Sequence, residues 1–133
     1  MKSHNRFTCL AAPAVVTALV FFLLQFVFLV GYVPSASMEP TLQQGSYVLG
    51  IRFYGELEVG DIVIFEHDGK LLVKRIAAVG GDVIEHAGQE LHVPNGCYYM
   101  LGDNSANSYD SRYWDDPFIP ESSIAAKLLL FAR

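Results

Sequence analysis

The sequence has few cysteines and lacks the motifs that mark most metal, redox and phosphate sites. Two cysteines, Cys9 and Cys97, occur among 133 residues, and neither belongs to a C-x-x-C pair. An internal disulfide, a redox centre and a zinc site are therefore not expected. There is no H-E-x-x-H, G-x-S-x-G, S-x-x-K or glycine-rich phosphate loop, and the acidic residues lack the spacing of an EF-hand. The sequence thus predicts no metal and no cofactor.

Basic residues are scarce beyond the first six positions. Two of the nine lysines and arginines, Lys2 and Arg6, precede a long apolar stretch, whereas all fourteen acidic residues, from Glu39 to Glu121, follow it. The part of the chain after this stretch is therefore acidic and has no basic patch. This balance argues against a nucleic-acid partner.

An uncharged apolar run extends from Cys9 to Val33. A helix of that length would extend roughly 37 Å, which is enough to cross a bilayer. Because the basic residues lie before the run, the positive-inside rule places the N-terminus in the cytoplasm. We therefore predict a cytoplasmic segment (1–8), a transmembrane anchor (9–33) and an extracytoplasmic domain (34–133).

The alternative for the apolar run is a cleaved secretory signal peptide. The small residues Ser35, Ala36 and Ser37 would suit a cleavage site that follows it. However, the apolar region of a signal peptide is roughly 7 to 15 residues long, and this run is longer. A retained anchor is therefore the favoured interpretation.

Beyond Pro40 the apolar pattern changes to short β-type runs separated by glycine and acidic residues. Seven strands are predicted: Tyr47–Phe53, Ile62–Glu66, Leu71–Ala78, Val83–His86, Glu90–Val93, Tyr98–Leu101 and Ala125–Phe131. Tight turns are expected at Asp68-Gly69, Gly80-Gly81 and Asn95-Gly96. The predicted fold class is mainly β, with a small antiparallel β domain behind one N-terminal transmembrane helix.

The stretch "VPSASMEP" (33–40) follows the apolar run directly. Its two prolines restrict the backbone around Ser35 and Ser37, and fixed geometry favours a catalytic nucleophile. A stretch rich in proline and serine after a membrane helix is, however, more often a linker than a catalytic site. From these residues alone both interpretations remain open.

The predicted strand "KLLVKRIAAV" (70–79) contains a lysine among aliphatic residues. Strand alternation places Leu72, Lys74 and Ile76 on one face and Leu71, Val73 and Arg75 on the other. Lys74 could reach solvent from an exposed strand. If it is buried instead, its lowered pKa would leave a neutral amine that can act as a general base. Ser-Lys pairs are a known variant of the serine-protease arrangement, so the serines of 33–40 are candidate partners.

A third stretch, "GDNSANSYDSRYW" (102–114), is dense in short polar side chains. It could be a loop held by Asx-turns, with Asp110 and Arg112 in a structural ion pair. It could also supply supporting groups to a site elsewhere in the fold.

Taken together and in this order, the segments "PSASMEPTL", "GDIVIF", "VKRIAAVGGD" and "GDNSANSYDSRYW" resemble the type I signal peptidases. These are membrane-anchored serine proteases that remove signal peptides from exported proteins. The resemblance covers nearly the whole chain and implies a β domain of the signal peptidase type. The lysine at position 74, where another branch has histidine, resembles the bacterial branch.

The resemblance also implies roles for individual residues. Ser37 matches the family's nucleophile and Lys74 its general base. Ser35 matches the residue whose hydroxyl helps to form the oxyanion hole together with the backbone N–H at the nucleophile. Ser108 matches the serine that hydrogen-bonds and orients the lysine, and Asp110 with Arg112 match the supporting pair nearby.

The chain departs from the family pattern at two places. Ser105-Ala106 stands where the family commonly has Arg-Asp, and Ala78–Asp82 stands where it has a Gly-Leu-Pro-Gly-Asp-like turn. The short chain also implies that the family's larger accessory domain is missing.

The partners implied by the resemblance are the signal peptides of exported preproteins and the lipid bilayer. Two rival functions remain open. One is a dedicated Ser/Lys maturation protease of a pilus or conjugation system. The other is a non-enzymatic, membrane-tethered β domain that has inherited the fold.

Overall fold

We describe the protein from a computed structural model that covers residues 6–131, with side chains from residue 11 to residue 129. Residues 1–5, which belong to the predicted cytoplasmic segment, lie outside the described residues. The described part begins with a helix at Arg6 and continues as a mainly antiparallel β structure. The predicted fold class is confirmed to that extent.

Helix α1 comprises Arg6–Phe26 and contains Pro13. The carbonyl oxygen of Pro13 accepts a hydrogen bond from Thr17 Oγ1 at 2.8 Å. Among the helices of the described part of the chain, none meets the length and hydropathy that a membrane span requires. The membrane anchor over 9–33 stays a prediction.

The helix is shorter at its C-terminal end than the apolar run predicts. It ends at Phe26, and Phe28–Tyr32 form strand β1. The prediction of a helix through Val33 is therefore wrong for Phe28–Tyr32. The physical reason is that β1 pairs antiparallel with the next strand, and Gly31 permits close contact there, since a Cβ at this position would lie 3.1 Å from Val48 Cγ2.

The remaining strands follow the sequence prediction closely. They are β2 (Tyr47–Ile51), β3 (Ile62–His67), β4 (Lys70–Val79), β5 (Val83–His86), β6 (Gln89–His92), β7 (Cys97–Leu101), β8 (Phe118–Pro120) and β9 (Ile124–Phe131). Within the described residues, one sheet has the order β1-β2-β9-β3-β4-β7-β8, with every pair antiparallel, and β5 and β6 form a separate hairpin. All seven predicted strands are present, and β1 and β8 were not predicted.

Strand β3 lies in the middle of the sheet and is buried on both faces. Val63 and Phe65 belong to one apolar cluster, whereas Ile62 and Ile64 belong to another. Since alternate side chains of a strand point to opposite faces, the two clusters lie on the two sides of β3. Strand β4 pairs directly with β3, and Lys74 lies opposite Val63, which is fully buried. The lysine is therefore placed next to the buried centre of the sheet.

Candidate active site

Lys74 is held on β4 with its side chain inside the protein. It is 4% exposed, and the alternate positions Ile76 and Ala78 are also buried, whereas Arg75 is only partly buried. The alternation predicted for this strand is therefore confirmed. Of the two interpretations of Lys74, the structure supports the buried one.

Ser37 lies on a 3₁₀ turn formed by Ala36–Met38. The next side chain, Met38, is 1% exposed and packs in the same apolar cluster as Leu42. Two backbone hydrogen bonds continue the turn, from Glu39 N to Ala36 O at 3.1 Å and from Leu42 N to Met38 O at 2.9 Å. The segment 33–40 is therefore a packed turn rather than a free linker.

The turn and the strand bring Ser37 and Lys74 into direct contact. Lys74 Nζ lies 2.7 Å from Ser37 Oγ, and both side chains are buried. Ser35 Oγ lies 3.3 Å from Ser37 Oγ, in a more exposed position. A hydroxyl and an amine at hydrogen-bonding distance can exchange a proton, which is the geometry that a nucleophile and a general base require.

Burial changes the ionisation of Lys74. Desolvation lowers its pKa from the ordinary value because the charged ammonium loses its hydration. The negative charge of Asp110 opposes this effect, and the positive charge of Arg112 adds to it. The net direction favours the neutral amine, whose lone pair can accept the proton of Ser37.

The loop after β7 places Ser108, Asp110 and Arg112 beside this pair. Ser108 Oγ donates a hydrogen bond to Asp110 Oδ2 at 2.6 Å. The resemblance predicts a bond from Ser108 to Lys74. The hydrogen bonds found among the described residues do not include it: Ser108 donates to the buried carboxylate of Asp110, and Lys74 contacts Ser37.

Asp110 is the centre of this loop and is 0% exposed. Burial by itself would raise its pKa, but hydrogen bonds from Arg112, Gly102 and Ser108 hold the pKa below its ordinary value. Arg112 contacts both carboxylate oxygens, at 2.8 Å through Nε and 2.9 Å through Nη2. The same guanidinium reaches the carbonyl of Ser105 at 3.3 Å, where the chain departs from the family pattern. The predicted ion pair is confirmed.

Comparison with known proteins assigns the chain to a family. The family described as "Signal peptidase, peptidase S26" matches residues 6–93 and 85–132. The chain belongs to the signal peptidase family. It is a serine endopeptidase of the signal peptidase I type, and the resemblance stated from the sequence is confirmed.

Individual relatives of this chain are named as signal peptidases or processing peptidases. "Probable signal peptidase I-1" of Synechocystis sp. is 30% identical, over 88% of this chain and 78% of its own length. "Signal peptidase I S" of Bacillus subtilis is 30% identical, over 76% of each chain. "Thylakoidal processing peptidase 1, chloroplastic" of Arabidopsis thaliana is 31% identical, over 62% of this chain and 36% of its own length.

The signal peptidase site also contains residues that the sequence did not single out. Arg75 donates to both carboxylate oxygens of Asp103, at 2.8 and 2.7 Å, and to the carbonyl of Gly60 at 2.7 Å. Asn104 contacts the turn that carries Ser37. The sequence marked these three residues only by their position. Arg75 follows Lys74 directly, and Asp103 and Asn104 lie within the stretch 102–114.

Gly102 allows the loop after β7 and the turn that carries Ser37 to touch. A Cβ built at this position would lie 2.6 Å from Ser37 O and would collide with Ser108 Oγ. No residue with a side chain fits there without movement of the backbone on one side.

A small cleft of about 50 Å³ opens next to the serine and the lysine. Its lining is mostly apolar and comprises Tyr32, Val33, Pro34, Ser35, Ser37, Met38, Leu71, Leu72, Val73 and Lys74. A wider groove of about 610 Å³ shares only Leu71 with it and contains neither Ser37 nor Lys74. The small cleft is therefore the candidate substrate site.

Proposed function

We propose that this protein is a membrane-anchored endopeptidase that removes N-terminal signal peptides from exported preproteins, with Ser37 as nucleophile and Lys74 as general base. One observation carries the proposal. The Nζ of a buried lysine lies 2.7 Å from the Oγ of a buried serine. The membership of the signal peptidase family supports the choice of substrate.

In the acylation step, Ser37 Oγ attacks the carbonyl carbon of the scissile peptide bond. Lys74 accepts the hydroxyl proton as the new C–O bond forms. When the tetrahedral intermediate collapses, the C–N bond breaks and Lys74 gives its proton to the leaving amine. The mature protein leaves with a free N-terminus, and the signal peptide stays attached to Ser37 as an ester.

In the deacylation step, Lys74 accepts a proton from a water molecule that attacks the ester carbonyl. The bond between the carbonyl carbon and Ser37 Oγ then breaks, and Lys74 returns the proton to that oxygen. The signal peptide leaves with a carboxylate at its C-terminus. Lys74 is neutral at the start of both steps, which is the state that its lowered pKa favours.

The oxyanion that forms during each attack would be stabilised by the backbone N–H of Ser37 and by Ser35 Oγ. The Ser35 hydroxyl lies 3.3 Å from Ser37 Oγ, so it is close to the reacting atoms. It is also exposed, which leaves room for a rotation towards the oxyanion. One such donor typically contributes about 3 to 4 kcal/mol to stabilisation of the transition state.

Ser108, Asp110 and Arg112 would support the reacting pair without touching the substrate. The Asp110 carboxylate is fixed by Arg112, and its charge raises the pKa of Lys74 and so limits the effect of burial. Ser108 completes the hydrogen bonds of that carboxylate. This arrangement would tune the base and hold the loop in place.

The small cleft beside Ser37 favours small side chains in the substrate. Met38, Leu72 and Val73 contribute to its apolar lining, and the available volume is about 50 Å³. Alanine at the residue before the scissile bond fits such a space, whereas a large residue does not. The cleft therefore supports specificity for Ala-x-Ala sequences, which are typical of signal peptide cleavage sites.

Anchoring of α1 in the membrane would bring the site to its substrate. Large apolar side chains of the helix, such as Val15, Leu19 and Phe21, are exposed, and the segment before it is basic. Ser37 follows the end of the helix by eleven residues, five of which form β1. An anchored chain should stay in the membrane fraction after alkaline extraction, and release into the supernatant would contradict the anchor.

Cleavage of a model precursor tests the proposal directly. The full chain in detergent, as wild type and as Ser37→Ala, is incubated with a precursor that carries an Ala-x-Ala site. We expect wild type to release the signal peptide and Ser37→Ala to have no activity. Ser122→Ala, which changes an exposed serine, is the matched control and should cleave normally. Full activity in Ser37→Ala would refute the nucleophile.

A panel of unrelated precursors separates general from dedicated processing. A general signal peptidase should cleave most of them at the expected bond. Cleavage of a single precursor would favour a maturation protease of a pilus or conjugation system. Absence of cleavage, together with absence of acylation of Ser37 by serine-reactive probes, would favour a non-enzymatic domain.

A further inference from the structure

Asn104 binds both carbonyl groups that flank the Cα of Ser37. Its side-chain Nδ2 donates a hydrogen bond to Ala36 O at 3.0 Å, and its backbone N–H donates to Ser37 O at 2.9 Å. A carbonyl oxygen can only accept, so the geometry identifies Nδ2 as the atom that faces Ala36. One residue of the loop after β7 thus fixes two successive peptide groups of the nucleophile turn.

The fixed orientation of one of these peptide groups has a chemical consequence. In a trans peptide the C=O of Ala36 and the N–H of Ser37 point in opposite directions from the same plane. Any group that fixes the direction of Ala36 O therefore also fixes the direction of the Ser37 N–H. That N–H is one of the two donors assigned to the oxyanion.

Asn104 is itself well held. Arg75 donates from Nε and Nη2 to the two carboxylate oxygens of the neighbouring Asp103. Burial alone would raise the pKa of Asp103, but hydrogen bonds from Arg75 and Thr41 lower it. Arg75 is the residue after Lys74, and Thr41 lies shortly after the nucleophile turn. The Asp103-Asn104 dipeptide therefore joins the strand of the base to the turn of the nucleophile.

We infer that Asn104 is a positioning residue that orients the Ser37 N–H for the oxyanion by holding the carbonyl of Ala36. The inference rests on the proposed function of Ser37 as nucleophile. Asn104 does not touch the substrate and does not exchange protons with it. Its loss should therefore reduce stabilisation of the tetrahedral state and leave substrate binding and the ionisation of Lys74 unchanged.

The experiment compares Asn104→Ala and Asn104→Asp with wild type in the full chain. Both variants remove the Nδ2 donor and keep the backbone N–H that binds Ser37 O. The matched controls are Asn107→Ala and Asn107→Asp, which make the same changes on an exposed residue of the same loop. The measurements are kcat, KM, the pH profile and the melting temperature.

We expect kcat of both Asn104 variants to fall by roughly 10- to 100-fold, which is less than the loss of an oxyanion donor itself produces. KM should stay at the wild-type value in both variants, and the midpoint of the pH profile should stay in place in Asn104→Ala, which adds no charge near Lys74. A loss that appears mainly in KM, or a displaced pH midpoint of Asn104→Ala, would overturn the inference, because either would indicate general damage to the site. Wild-type kcat in both variants would overturn it as well.

A fluorescent Ala-x-Ala peptide aldehyde provides a second readout that does not depend on a precursor. Ser37 Oγ adds to the aldehyde carbon, its proton passes to Lys74, and the aldehyde oxygen becomes the oxyanion. We expect the Asn104 variants to bind the aldehyde more weakly by about the same factor as their loss in kcat, and to bind the corresponding peptide alcohol normally. Equal affinity of wild type and the Asn104 variants for the aldehyde would overturn the inference.

The two readouts keep the inference separate from the proposed function. If wild type binds the aldehyde through Ser37 but cleaves no precursor, the proposed substrate is wrong and the aldehyde affinities of the Asn104 variants still decide the inference. If wild type cleaves precursors and the Asn104 variants do so equally well, the proposed function stands and the inference fails. If wild type neither cleaves a precursor nor reacts with the aldehyde through Ser37, both fail.

Discussion

Gly102 lies against the carbonyl of Ser37 so closely that a Cβ at position 102 would stand 2.6 Å from that oxygen. The same Cβ would collide with Ser108 Oγ. The loop that carries Asp110 and the turn that carries Ser37 therefore touch at a point where no side chain fits. This contact lets Asn104 and Ser108 reach their partners.

Gly102→Ala should separate the loop from the turn. The new methyl group would press on Ser37 O, which is part of the backbone, and on Ser108 Oγ, which is hydrogen-bonded to Asp110. Because neither atom can move away freely, the strain should destabilise the fold by about 1 to 3 kcal/mol. We also expect a large loss of kcat, because Ser37 would shift relative to Lys74. Thermal unfolding and precursor cleavage measure the two effects. Gly55→Ala is the matched control, since no atom lies within 4 Å of a Cβ built there; equal behaviour of the two variants would contradict the close contact.

The pH dependence of cleavage should follow the ionisation of Lys74. Its pKa is lowered from 10.5, mainly by desolvation. Because the proposed base is the neutral amine, kcat/KM should be low in acid, rise as the pH passes through the lowered pKa of Lys74, and reach a plateau at higher pH. Lys70→Gln, which changes an exposed lysine of the same strand, should leave the profile unchanged. A flat profile from about pH 6 to 10 would argue against Lys74 as the base.

Asp110→Asn should displace this profile to lower pH. The Asp110 charge raises the pKa of Lys74, whereas the Arg112 charge lowers it. In Asp110→Asn the negative charge is gone, while the positive charge of Arg112 still lowers the pKa of Lys74. The lysine therefore loses its proton at a lower pH. The measurement is the midpoint of kcat/KM against pH, with exposed Asp116→Asn as control. A midpoint that stays in place, or moves to higher pH, would show that Asp110 does not act on Lys74 through its charge.

The strands of the domain could be predicted from the sequence because their patterns are local. The alternation around Lys74 gives the correct buried face of β4, and Asp68-Gly69 forms a tight turn with positive φ at both residues. Strand β1 could not be predicted, since its apolar residues continue the composition of α1 and only pairing with β2 distinguishes them. Strand β8 has three residues and contains Pro120, which gives no periodic signal.

The contact between Ser37 and Lys74 could be predicted through the family resemblance, but several other contacts of the candidate site could not. The partner of Ser108 depends on the exact position of Asp110, which lies two residues away and accepts a hydrogen bond from the hydroxyl. The role of Asn104 depends on a contact across 68 residues of sequence. Such contacts are set by the packing of loops on the finished sheet and have no local pattern.

Lys74→Met should abolish cleavage without loss of stability near neutral pH. The folded-state pKa of Lys74 is lowered, so between that pKa and 10.5 the unfolded chain binds a proton that the folded chain does not. Over this interval wild type becomes more stable as the pH rises, and part of its stability is missing at neutral pH. Methionine has a similar shape, carries no charge and packs readily in an apolar site, so the variant lacks this dependence.

The expected result is a melting temperature of Lys74→Met at or above that of wild type at pH 7, with a difference that moves in favour of wild type as the pH approaches 10. Lys70→Met, which changes an exposed residue, should not alter the pH dependence of stability. A Lys74→Met protein that is clearly less stable than wild type at pH 7 would show that the lysine contributes to the fold through its contacts. A stability difference that does not change between pH 7 and 10 would contradict the lowered pKa of Lys74, because the folded chain would then bind this proton as readily as the unfolded chain.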